Sequence, residues 1–184
     1  MPTRDEITTA LASQRERIEA WFHALSDAQM TQPATASEVE GGQMWTPKDH
    51  LAHVLGVERY FHGVIKRAAD GAEDATGFYT QTGTDDRAAW RNLANQSNER
   101  LAEKYRDTPA EALFARLGET RQATLALLGA LDDEQLAQSV PHSHFGDGTI
   151  GGLFMTIAQH GGQHLAWLND ALGNAGATHD TESK

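Results

Sequence analysis

Residues 149–173 read Thr-Ile-Gly-Gly-Leu-Phe-Met-Thr-Ile-Ala-Gln-His-Gly-Gly-Gln-His-Leu-Ala-Trp-Leu-Asn-Asp-Ala-Leu-Gly. Leu153, Phe154, Ile157, Leu165, Leu168 and Leu172 recur at steps of three and four, the spacing that lines one face of an α-helix. Thr149 can cap its start, and Gly173-Asn174 can end it. His160 and His164, four apart, lie one turn above each other on the same face. Between them stand Gly161 and Gly162, each costing roughly 0.8–1 kcal/mol relative to Ala inside a helix. Two adjacent glycines there call for a close neighbour, or for room beside the histidines. A polar pair at this spacing more often caps or packs at a surface. Here Phe154, Ile157, Trp167 and Leu168 frame it, so the helix is mostly buried and two neutral imidazoles need partners. A metal ion is an efficient shared one.

The rest of the chain repeats the helical pattern. Thr3 with Glu6 three residues on is a capping box, and Ile7, Leu11, Ile18, Trp21, Phe22 and Leu25 follow it. Residues 31–44 are rich in Thr, Pro, Ser and Gly and read as a connection. Thr46 as N-cap with Pro47 at the first helical position begins a helix that runs to about Ala69. Residues 71–83 read as a loop. Thr84-Asp85-Asp86 opens a stretch reaching about Arg106, and Thr108-Pro109-Ala110-Glu111 repeats the cap, proline and acid pattern. Asp132 to Gln138 gives one or two turns, and 139–148 is a turn-rich loop. No segment alternates with period two. The fold class is therefore all-α, a bundle of four main helices near 4–25, 47–70, 109–130 and 149–173. The stretch 84–106 is expected as an added or broken helix beside the third. Residues 1–174 form the expected single domain, and the small, polar segment 175–184 is expected to be a disordered tail.

Composition narrows the function. The 184 residues suffice for one domain with a real core. Fifteen basic against 26 acidic residues give a formal charge of −11, with no basic stripe. That argues against nucleic acid or an anionic membrane as partner. No run approaches the ~18 apolar residues of a membrane span, and the N-terminus lacks the apolar core of a signal peptide. A cytoplasmic location is expected. With no cysteine, disulfides, thiolate ligands and a cysteine nucleophile are excluded, so any metal is held by imidazole, carboxylate or water.

Nine histidines compete for a third ligand position. His53 lies about two turns into the helix that starts at Thr46, among Leu51, Val54 and Val57. His50 is one turn earlier, beside Asp49 and near the polar start, so His53 is favoured and His50 is the alternative. His62 reads as a surface or partner contact, and His23 suits the negative end of the first helix. His142 and His144 precede the last helix, which carries them ~20 Å or more from His164 at 1.5 Å per residue. They reach the site only if their loop folds back. His179 lies in the tail.

Trp45-Thr46-Pro47-Lys48-Asp49-His50-Leu51-Ala52-His53 resembles the second-helix signature of the DinB/YfiT-like superfamily, with a tryptophan, a capping hydroxyl and a histidine eight residues after the tryptophan. Met155 to His164 resembles that family's fourth-helix H-x-x-x-H signature. The resemblance spans most of residues 4–173. It implies an up-down four-helix bundle, commonly a homodimer, with one divalent metal on His53, His160 and His164. Relatives include thiol-dependent transferases, isomerases such as the maleylpyruvate isomerase N-terminal domains, and hydrolases of reactive metabolites. This chain departs from one common version, since Leu165, Ala166 and Trp167 follow where many relatives carry Arg or Gln.

The expected function is that of a metal-dependent transferase or hydrolase acting on a small molecule. Three imidazoles would leave coordination positions open for water or for an exogenous low-molecular-weight thiol. Zinc or nickel is the ion expected in a purified sample, with iron or manganese as further candidates. Tyr60, two turns after His53, is a weak candidate for polarising a substrate, and more often such a residue is a core-edge aromatic. Glu58 falls off the face of His53, Gln163 is either a second donor or solvated, and Asp49 favours the helix N-terminus. A bundle that binds metal or a small molecule without turnover is the alternative, and packed structural histidines a third reading.

Overall fold

A computed structural model describes residues 1–173, so the expected tail and His179 lie outside the described residues. The described chain is helical throughout: α1 (Arg4–His23), α2 (Asp27–Met30), α3 (Pro47–Ala69), α4 (Phe78–Thr82), α5 (Arg87–Tyr105), α6 (Ala110–Ala130), α7 (Asp133–Ala137) and α8 (Ile150–Leu172). The long helices α1, α3, α6 and α8 form the bundle. α8 packs against both α1 and α3, and α3 also packs against α6. No helix is long and apolar enough to cross a membrane among the described residues.

The helix starts follow from local chemistry. Thr3 and Glu6 form the expected capping box at α1, and Thr46 with Asp49 forms another at α3, with Pro47 in the first turn. Asp49 Oδ2 accepts from the Thr46 amide (2.9 Å) and hydroxyl (2.7 Å), which engages its carboxylate at the cap. At α6 the expectation fails: Pro109 itself occupies the cap position, and no side chain caps the helix. The loop expected over 71–83 contains the short helix α4.

α5 also departs from expectation. It is one continuous helix and packs against α3, not beside the third main helix α6. Gly56 leaves room for α5 there. A Cβ built at Gly56 would lie 2.0 Å from Leu101 Cδ2, so any larger residue requires the Leu101 side chain to shift.

Two apolar clusters fill the bundle. One gathers Ile7, Leu11, Phe61, Val64, Ile65, Ile150, Leu153, Phe154 and Ile157. The other gathers Ile18, Phe22, Leu51, Leu55, Leu113, Leu117, Leu165 and Leu168. Along every main helix the polar residues fall between these sets: Gln14 on α1, Glu58 on α3, Arg121 on α6, and the histidine pair on α8. Glu58 is 1% exposed and Arg121 5%. Arg121 donates Nε–H to Glu58 Oε1 (2.7 Å) and Nη2–H to Glu58 Oε2 (2.9 Å) and Gln14 Oε1 (2.6 Å), and its Nη1 bonds the Leu11 carbonyl. Gln14 in turn donates to the Ile157 carbonyl at 3.2 Å. The guanidinium thus ties α1, α3 and α6, Gln14 extends the tie to α8, and these partners satisfy the ions' hydrogen-bonding needs.

Candidate metal centre

α3 and α8 cross so that the imidazoles of His53, His160 and His164 meet. Nε2 of His160 lies 2.8 Å from Nε2 of His53 and 3.1 Å from Nε2 of His164. Each residue offers one ring nitrogen, and all three of these atoms lie within 4.8 Å of one another, a group that could hold a metal ion. Zn–N bonds of 2.0–2.1 Å in a tetrahedral site set neighbouring nitrogens about 3.3 Å apart, close to the two separations from His160 and within reach of small ring movements.

The protonation states fit that use. Burial is the main force lowering all three histidines below the ordinary imidazole range, and neighbouring rings add to it. His160 is brought to about 4, and His53 and His164 are pushed well down. At neutral pH the three rings are uncharged, the form in which imidazole donates a lone pair. Nε2 of His160 faces two ring nitrogens with either one proton or one lone pair, so it cannot serve both contacts fully, and a cation resolves that conflict.

Each ring is held differently. His50, which is buried, faces Nδ1 of His164 with its own Nδ1 at 2.7 Å, and its Nε2 lies 2.8 Å from Thr35 Oγ1. Burial lowers the His50 imidazole to about 4, against the pull of Asp49. The Nδ1 atom of His53 is buried with no hydrogen-bond partner. Trp45 packs against both His50 and His53 at 5.3 Å between ring centres, and Trp167 meets His164 edge-on at 4.8 Å. Trp45 is anchored in turn, its indole N–H donating to Glu99 Oε1 at 2.9 Å while Ser37 binds the same oxygen.

The histidines open into a cleft of about 570 Å³. One wall is the 35–45 loop with Trp45. A second is α8 with Gln163 and Trp167, both exposed. The third is the face of α5 that carries Trp90, Arg91, Asn95, Asn98 and Glu99.

The expected site residues fall into place unequally. His53, His160 and His164 come together. His50 joins them through His164, outside the trio. Tyr60 is not among the residues lining the cleft: its hydroxyl donates to the Thr76 carbonyl at 3.0 Å, and burial pushes its pKa well above the usual phenol range. That corrects the expectation of a substrate-polarising role in favour of a core-edge aromatic. Glu58 is neutralised by Arg121. His142 pairs with Asp85 at 2.7 Å and stacks on Tyr79, and His144 sits beside Trp90; neither lines the cleft. The α5 wall and Thr35 were not anticipated. The signal for the wall was the spacing of Arg91, Asn95 and Asn98 on one helical face; Thr35 sits in a loop and carries no such pattern.

A family model described as the DinB superfamily matches residues 10–168. The chain belongs to the DinB superfamily. Its all-helical fold and its cluster of three histidines accord with that membership. Comparison with curated proteins and with solved structures gave no match.

Proposed function

We propose that this DinB-superfamily protein is a metal-dependent enzyme acting on a small reactive molecule, either a thiol-dependent S-transferase or isomerase or a hydrolase. Its ligands would be His53, His160 and His164. The observation that carries the reading is the convergence of three imidazole nitrogens where α3 and α8 face an open cleft. A divalent ion held there would act as a Lewis acid and bring the pKa of a bound water or thiol toward neutrality. Because the chain has no cysteine, a thiol nucleophile would come from a small molecule.

The chain's own groups divide the remaining work. Trp45 and Trp167 wall the histidines with indole rings and limit water beside them. Asn95, Asn98 and Arg91 present polar groups to whatever enters along α5. Glu99 also lines the cleft, but Trp45 and Ser37 occupy one of its oxygens. A second reading is a bundle that sequesters metal or a small molecule without turnover: of the two carboxylates lining the cleft, Glu99 is held at one oxygen and Glu38 stands exposed on the 35–45 loop. A homodimer belongs to the proposal on the strength of the family and of apolar residues on more than one helix face, and sedimentation tests it; a cytoplasmic location is proposed with it.

The deciding experiment is a panel of electrophiles and hydrolysable esters and amides, offered to zinc- or nickel-loaded protein with and without low-molecular-weight thiols. Turnover that disappears on chelation and in His164→Ala supports the enzyme. Tight metal binding with no turnover across the panel supports the sequestering bundle instead.

A further inference from the structure

The second nitrogen of His164 is the best-controlled atom of the trio. It faces Nδ1 of His50 at 2.7 Å, and the other nitrogen of His50 faces Thr35 Oγ1 at 2.8 Å. A neutral imidazole carries one proton and one lone pair, so two ring nitrogens at that separation must divide the roles of donor and acceptor. Only two arrangements satisfy the contact. In one, His164 keeps its proton on Nδ1 and donates to His50, which donates from Nε2 to Thr35. The Nε2 of His164 is then a bare lone pair aimed toward His160. In the other, His50 donates from Nδ1 and the proton of His164 sits on Nε2, pointing into the space where the three nitrogens meet. The first builds a ligand; the second blocks one.

The surroundings hold this chain of contacts in place. Thr35 is clamped by paired backbone bonds with Trp45, from the Thr35 amide to the Trp45 carbonyl (3.1 Å) and from the Trp45 amide to the Thr35 carbonyl (2.7 Å). The Trp45 ring packs on His50, and the Asp49 carboxylate, the nearest charge in sequence, is engaged at the helix cap with Thr46. His50 therefore has a hydroxyl on one side and His164 on the other.

We propose that Thr35 and His50 form a positioning relay that accepts the Nδ1–H of His164 when a cation takes its Nε2 lone pair, the Thr35 hydroxyl accepting in turn from His50 Nε2–H. The relay rests on the metal-site reading above and extends it to residues that touch no metal. Partners of this kind orient metal-bound histidines, and losing one typically weakens metal affinity about 10- to 100-fold.

The test is zinc affinity, measured by chelator competition at fixed pH, for the wild type, His50→Phe, His50→Asn and Thr35→Val, with circular dichroism to verify folding. His50→Phe is expected to bind zinc about 10- to 100-fold more weakly while still reaching full occupancy at saturation. His50→Asn, whose carboxamide oxygen can accept from Nδ1, should recover most of the loss, and Thr35→Val should show a smaller loss in the same direction. Imidazole 15N spectra of zinc-loaded wild type should place the His164 proton on Nδ1 and the zinc on Nε2. A folded His50→Phe that binds zinc as tightly as the wild type, or a zinc-loaded wild type with His164 protonated on Nε2, overturns the relay alone. If the wild type binds no zinc, the metal site and the relay fail together. Should His50→Phe not fold, Thr35→Val and the wild-type spectra still decide.

Discussion

Two polar constellations lie buried between the apolar clusters, and they differ in how completely they satisfy themselves. Around Arg121, a guanidinium finds a carboxylate, an amide oxygen and a backbone carbonyl, and charge is balanced within the group. Around His160, three neutral rings turn nitrogens toward one another, one ring keeps a buried nitrogen without a partner, and the group opens into a cleft. The first is closed and structural. The second is incomplete in a way that one cation would complete. Burial of polar groups alone does not mark a site; unfinished hydrogen bonding beside an open volume does.

The largest expected effects separate the two regions outright. His160→Ala and His164→Ala should each abolish stoichiometric zinc, measured by elemental analysis after desalting, with the helical content retained. Glu58→Ala or Arg121→Ala should instead destabilise the fold by about 3–5 kcal/mol, because each leaves a buried charge unpaired. Denaturant unfolding measures that loss, and the folded fraction should still bind zinc. The double replacement Glu58→Leu with Arg121→Met should recover most of the stability, since the loss comes from the orphaned ion.

Smaller effects sharpen the boundary at the glycine pair. A Cβ at Gly161 would lie 2.4 Å from Ile18 Cδ1 and 2.5 Å from Gln14 Nε2, whereas one at Gly162 would meet nothing within 4 Å. Gly161→Ala should therefore cost about 1–3 kcal/mol by overpacking α1 against α8. Gly162→Ala should raise stability by up to about 1 kcal/mol through helix propensity. Thermal unfolding of the two variants compares them directly, and equal losses at both positions would contradict the close approach of α1.

The sequence carried the bundle because its helices are written in short-range chemistry. Thr3 with Glu6 and Thr46 with Pro47 fix where α1 and α3 begin, and apolar steps of three and four fix which faces turn inward. The Thr108-Pro109 repeat misled by one position because the proline took the cap itself. The proximity of His53 to His160 and His164 was legible from spacing and family resemblance. The partnership of His50 with Thr35 was not, because a loop residue's reach depends on how the chain returns to the bundle. Nor was the position of α5 legible. Its own pattern is weakly amphipathic, and the room that Gly56 leaves for Leu101 is visible only once α3 and α5 are set side by side. Tyr60 shows the same limit in reverse, since helical spacing from His53 says nothing of the Thr76 carbonyl that engages its hydroxyl.

The most direct test of the central claim is a crystal structure of the zinc-loaded protein with anomalous diffraction at the zinc edge. A single strong peak bonded to Nε2 of His53, His160 and His164 is the predicted result. No peak at the trio, or a peak held by His50 in place of His53, would contradict it.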